Sequence, residues 1–105
     1  MPFQETKGRY ASFGVVSTLP GEVIDQVWYV LDNYLKGVLP LKSLLRFQLK
    51  NRNGRISLLF SQEGCKERLE VDFETRFAPF YPSTLLVIDR KGRETVVLPE
   101  ELPTL

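Results

Sequence analysis

The segment from Pro20 to Lys36 constrains this chain most, because its apolar residues recur with the period of an α-helix. At about 100° per residue, Val23, Ile24, Val27, Trp28, Val30, Leu31, Tyr34 and Leu35 share one arc of roughly 160°. The opposite arc collects Glu22, Asp25, Gln26, Tyr29, Asp32, Asn33 and Lys36. The ends agree: Thr18 is placed to cap the N-terminus, Pro20 lies in the first turn, Lys36 in the last, and Gly37 just beyond. A helix divided in this way must lay its apolar side on another element.

The following residues predict that element. Asn53-Gly54 is a strong signal for a two-residue type I′ hairpin, and it sets Arg52 opposite Arg55, Leu49 opposite Leu58 and Phe47 opposite Phe60. A type II′ turn at Gly64-Cys65 sets Glu63 opposite Lys66, Phe60 opposite Leu69, Leu58 opposite Val71 and Ile56 opposite Phe73. The two turns agree on one three-stranded meander. Its buried face carries Leu45, Phe47, Leu49, Ile56, Leu58, Phe60, Leu69, Val71 and Phe73.

The flanks complete an α+β fold, one amphipathic helix packed on an antiparallel β-sheet made of the meander and a C-terminal hairpin. Arg9 to Val16 reads as a first strand with Gly14 inside it or at a bulge. The prolines of Ala78 to Pro82 break regular structure. Leu85 to Asp89 and Glu94 to Leu98 form the second hairpin, joined by a three-residue loop Arg90-Lys91-Gly92 in preference to a two-residue turn that would oppose Arg90 to Arg93. Pro99 to Leu105 reads as irregular or a single turn.

At 105 residues the chain predicts a single domain, residues 1–105, with one core. The stretch Met1 to Tyr10 has no apolar run of the signal-peptide kind, and no run approaches the ~18 residues of a membrane span. A cytoplasmic protein with no membrane association is expected. One cysteine, Cys65, rules out an internal disulfide.

The absence of histidine removes Ser-His-Asp and Cys-His catalysis and every His-containing metal site, and one cysteine cannot make a zinc site or a redox pair. No cofactor and no metal are expected. Carboxylates are the remaining catalytic option. However, Glu70, Asp72 and Glu74 alternate with Leu69, Val71 and Phe73, so they fall on the solvent face, where their pKa values stay near the ordinary range. The expectation is therefore a protein that is not an enzyme.

Charge is unevenly distributed although the net charge is only +1. From Lys42 to Arg55 stand the five cations Lys42, Arg46, Lys50, Arg52 and Arg55 with no acid between them; Glu63 to Glu74 holds five acids and two cations. The basic strip reads either as a grip for phosphates or an acidic protein surface, or as cross-strand charge that keeps the sheet soluble. Phe47 alternates to the buried side, so the strip lacks the stacking aromatics of a nucleic-acid site, which places a protein partner ahead of a nucleic acid. Tyr29, alone among Asp25, Asp32 and Asn33 on the polar arc, is the second candidate contact. The candidate binding residues are thus Arg46, Lys50, Arg52 and Arg55 on one surface and Tyr29, Asp25 and Asp32 on the other. Self-association through an edge strand, giving a homo-oligomer, is a further option.

The order of residues also resembles a known family. Arg9-Tyr10, Gly14-Val15, Leu19-Pro20 and Glu22, Trp28 and Asp32, Arg55-Ile56, the acidic strand near Glu67 to Phe73 and Val87-Ile88-Asp89 are similar to short uncharacterised proteins, a domain of unknown function, of low-GC Gram-positive bacteria and their mobile elements. The resemblance implies no activity. By association it implies an accessory or inhibitory role, such as blocking a defence protein.

Overall fold

The strands form around the turns that the sequence marks. In chain order the elements are β1 (Gly8–Ala11), α1 (Phe13–Thr18), α2 (Gly21–Val30) running on into a π-helical turn (Leu31–Leu35), β2 (Leu44–Arg52), β3 (Arg55–Ser61), β4 (Leu69–Arg76), β5 (Thr84–Arg90), β6 (Arg93–Val97) and a closing 3-10 helix (Pro99–Thr104). The computed structural model describes residues 2–104, so Leu105, the end of the expected tail, lies outside the described residues. All six strands join one sheet in the order β1-β6-β5-β2-β3-β4.

Asn53 and Gly54 take φ of 54° and 84°, as a type I′ turn requires, and β2 and β3 pair in the expected register. Leu58 meets Val71 and Phe60 meets Leu69, also as expected. The second turn differs. Cys65 N–H donates to the Gln62 carbonyl at 3.3 Å, and Gly64 takes φ of 76° as the third residue, the glycine position of a type II turn. The turn is therefore centred on Glu63-Gly64, pairing stops at Phe60, and Glu63 does not pair with Lys66. A bulge then shifts the register between Arg55 and Ser57, so Arg55 meets Arg76 and Ile56 does not meet Phe73.

The C-terminal hairpin uses the shorter turn. Lys91 and Gly92 both have positive φ, 55° and 91°, and Arg90 stands opposite Arg93. Asp89 favours this geometry because its Oδ1 accepts the Gly92 N–H at 2.8 Å. Both opposed arginines are exposed, so water screens their repulsion.

The sheet is mixed, not antiparallel throughout, because β1 runs parallel to β6, with Arg9 beside Glu94. The cause is topological. The helical segment between β1 and β2 carries the chain over the sheet past β5 and β6, and such a crossover returns β2 in the direction of β1. The predicted strand from Arg9 to Val16 is correspondingly cut short at Ala11. Ser12 caps α1, accepting the Val15 N–H at 3.3 Å, and Glu101 reaches back to bind the Ser12 hydroxyl and the Gly14 N–H. Gly14 permits this close approach, since a Cβ would lie 2.7 Å from the Glu101 carboxylate and 2.8 Å from the Leu98 side chain, and both would have to shift. Thr18 is spent in α1, its hydroxyl donating to the Gly14 carbonyl at 2.7 Å, so Pro20 and not Thr18 caps α2.

The helix buries Val23, Val27, Val30, Leu31 and Leu35 against Leu45, Phe47, Leu49, Ile56, Leu58 and Phe60. Leu69, Val71 and Phe73 complete this face but are only partly buried. Phe3, which the sequence pattern does not mark, folds into the same core with its N–H donating to Asp89 Oδ2 at 2.7 Å.

At the opposite margin a charge network ties helix to sheet. Glu94 on β6 is 0% exposed, and it accepts from Arg9 Nε at 3.0 Å and from the Thr6 hydroxyl at 2.7 Å, with Lys36 Nζ at 3.8 Å. The Arg9 guanidinium grips both Asp32 oxygens and lies 4.8 Å above the Trp28 ring. Hydrogen bonds from Arg9 hold the Asp32 carboxyl below its ordinary value.

Two outcomes follow. Arg9→Met leaves Glu94 buried beside one distant cation and should destabilise the fold by about 3 kcal/mol in urea denaturation, with Arg9→Met/Glu94→Leu recovering much of that loss. Asp32 is lowered in the folded state, so its contribution is present above the ordinary aspartate pKa and lost as pH falls through the folded value. The urea midpoint of the wild type should drop as pH falls below about 5, continuing below the ordinary aspartate range, and Asp32→Asn should show a shallower drop.

Candidate functional site

Tyr29 looks outward because of where α2 sits. The helix lies along β4, the outer strand of the sheet, fastened by Gln26 Nε2 donating to the Thr75 hydroxyl, which in turn donates to Glu22 at 3.0 Å. Between helix and strand runs an open groove of about 760 Å³, lined by Tyr29, Tyr34, Val71 and Phe73. Tyr29 stands edge-on to Phe73 at 6.2 Å and to Tyr34 at 6.0 Å.

The tyrosine pair depends on the π-helical turn. In an α-helix, residues five apart point about 140° away from each other. Here Lys36 N–H reaches the Leu31 carbonyl, five residues back, at 3.0 Å, and the widened turn swings Tyr34 out of the apolar arc toward Tyr29. Asn33 Nδ2 supports the change of pitch by donating to the Tyr29 carbonyl at 2.9 Å.

The groove's rim is acidic, with Glu22 and Asp25 from α2 and Asp72 and Glu74 from β4. Asp25 has no cation within ion-pair distance among the described residues. The Ser57 hydroxyl lies 2.7 Å from both Glu70 and Asp72, and its one proton serves one of them at a time. That hydrogen bond, aided by Arg52 and Lys50, holds Glu70 below its ordinary pKa, where the sequence predicts no displacement. A lowered carboxylate is the reverse of what general-acid chemistry needs. These acids are placed to attract cations.

The basic strip is less continuous than the sequence implies. Arg52 bonds Glu70 at 2.7 Å and lies 3.7 Å from Asp72, while Arg55 bonds the Glu74 carbonyl at 2.7 Å and its carboxylate at 3.2 Å. Arg46 and Lys50 remain on the outer face of β2, Arg46 lining a cleft of about 410 Å³ with Arg68 and Cys65. Asp32, grouped by sequence with Tyr29 and Asp25, belongs instead to the Arg9 network. Of the seven candidates, Tyr29 and Asp25 alone come together in the groove. Glu22, Gln26, Tyr34, Val71 and Phe73 are lining residues that sequence reasoning does not single out as contacts; the alternation of β4 gives the last two, but nothing local marks β4 as the sheet's edge. Among the described residues, no group of three or more His, Cys, Asp or Glu side chains is placed to hold a metal ion. No described helix is long and apolar enough to cross a membrane.

Residues 8–101 match the model of a family described as "Staphylococcal protein of unknown function (DUF960)". A crystal structure of a protein of unknown function from Enterococcus faecalis is similar, with 45% identity over 90% of this chain and 89% of that one and a TM-score of 0.88. No curated protein matches the sequence. The match over nearly the whole sheet and both helices shows that this chain belongs to the DUF960 family.

Proposed function

We propose that the chain is a non-enzymatic binding module that engages another protein through the groove between α2 and β4. One observation carries this reading: Tyr29, half exposed, stands over an aromatic floor that carboxylates surround. Tyrosine offers a large contact area with few torsions to freeze, and such residues concentrate binding energy when a partner closes over them. In this reading the protein is a cytoplasmic accessory or inhibitor that acts by occupying a surface of its partner. The outer face of β2 is the alternative contact, but Arg52 and Arg55 already spend their charge on β4.

A partner captured by the wild type and then purified should bind Tyr29→Ala at least about tenfold more weakly, as a hot-spot truncation does. Arg46→Glu/Lys50→Glu should bind it with unchanged affinity in the same titration. The opposite pattern, or salt-sensitive retention of labelled RNA or DNA by the wild type, would move the function to the β2 face.

A further inference from the structure

We infer that the occupant of this groove is an extended, basic segment of a partner protein that adds to β4 as a seventh strand. The inference rests on the protein-binding reading above and names the chemistry of its partner.

The two sheet edges differ in what they offer. β1 has four residues and passes at once into α1, whereas β4 has eight and pairs on one side only, with β3. Edge strands are usually blunted by shortness, proline, lysine or a bulge; β4 is long and has neither proline nor lysine, and its bulge lies toward its C-terminal end, opposite Arg55 to Ser57. Its side chains alternate without a break between half-buried and exposed. Its outer face carries the acids Glu70, Asp72 and Glu74, met from the β3 side by Arg52 and Arg55, with Arg76 at the strand's last position; Glu22 and Asp25 of α2 add to the acid along the groove.

Those acids argue against a second copy as the occupant. A symmetric antiparallel pair centred on Asp72 sets Asp72 against Asp72 and Glu70 against Glu74; one centred on Phe73 sets Asp72 against Glu74 and offsets this with Glu70 against Arg76, so neither of these long overlaps gains net attraction. Like charges directly opposed destabilise a sheet pair. The same acids attract a strand that carries lysine or arginine at every second position.

Period-two geometry fixes the remaining positions. Residues between the cations point toward α2, where Tyr29, Val71 and Phe73 offer apolar contact. The fitting segment therefore alternates Lys or Arg with Val, Ile or Phe. Backbone hydrogen bonds to β4 hold it, and the alternating side chains select it.

The probe is a blocked heptapeptide of alternating Lys or Arg with Val or Phe, titrated into isotopically labelled protein and followed by NMR and fluorescence anisotropy. Binding should shift resonances of β4 and α2, weaken with salt, and vanish for the peptide with Glu in place of every cation. In an added strand, the amides of the apolar positions all face one side and those of the basic positions all face the other. N-methylating one set should weaken binding at least about tenfold, and N-methylating the other should leave it unchanged. Asp72→Lys/Glu74→Lys, checked for folding by circular dichroism, should bind the Glu peptide in preference.

Equal binding of the two peptides, indifference to which amides are methylated, or no binding up to about millimolar overturns strand addition. If Tyr29→Ala still releases the purified partner in that case, the groove reading survives and only the basic strand is wrong. If it does not, both fail.

Discussion

The fold depends on one buried carboxylate. Glu94 sits in the last strand with no solvent exposure, and taking a charge out of water is tolerable only if partners replace the water. Those partners come from three other places in the chain: Thr6 before β1, Arg9 within it, and Lys36 at the end of the helix. Satisfying one side chain therefore requires that β1 dock beside β6, that it run parallel so Arg9 falls opposite Glu94, and that the helix end nearby. Apolar burial alone would fix the helix on the sheet, but it would not choose the rotation of its last turn or the placement of a four-residue edge strand.

From this anchor the geometry reaches the groove. Arg9 passes from Glu94 to Asp32, and Lys36 lies 3.7 Å from the same carboxylate. Asp32 and Lys36 fall within or directly after the π-helical turn, so the ion pairs hold the helix where its pitch widens. The widened turn brings Tyr34 round to Tyr29. A structural charge network on one side of the helix thus sets the aromatic pair that lines the groove on the other.

Much of this was legible from short-range patterns, and the losses have one physical cause. Helix and meander signals lie within a few residues, and Asn53-Gly54 fixes its register by the φ values that only such residues adopt readily. Asp32 shows the limit. On the helix wheel it belongs to the same polar arc as Tyr29, and only the return of β1 from far away in sequence claims it for Arg9. Gly14 shows the same effect, because the carboxylate that completes the α1 cap is supplied by Glu101 and not by a residue three positions on. The parallel placement of β1, the π-helical turn and the edge position of β4 are likewise set by contacts distant in sequence.

The two surfaces that the charge pattern separates, basic on β2 and β3 and acidic on β4, form one electrostatic arrangement. Arg52 and Arg55 lean across to Glu70, Asp72 and Glu74 from the side away from the edge. Their positive charge offsets part of the repulsion among three acids on one strand, and Arg76 at the strand's end adds to that offset. Water screens these exposed pairs, so they contribute little to stability. Their placement is one-sided: Arg52 and Arg55 reach these acids from the β3 side, and β4 has no neighbouring strand on its other side. There Asp25 and Glu22 of the helix add to the acid, beside the apolar floor under Tyr29. A strand that is mainly acidic, long and open on one edge gains no net attraction from its own copies while remaining available to a segment of opposite charge, and specificity rests on that difference.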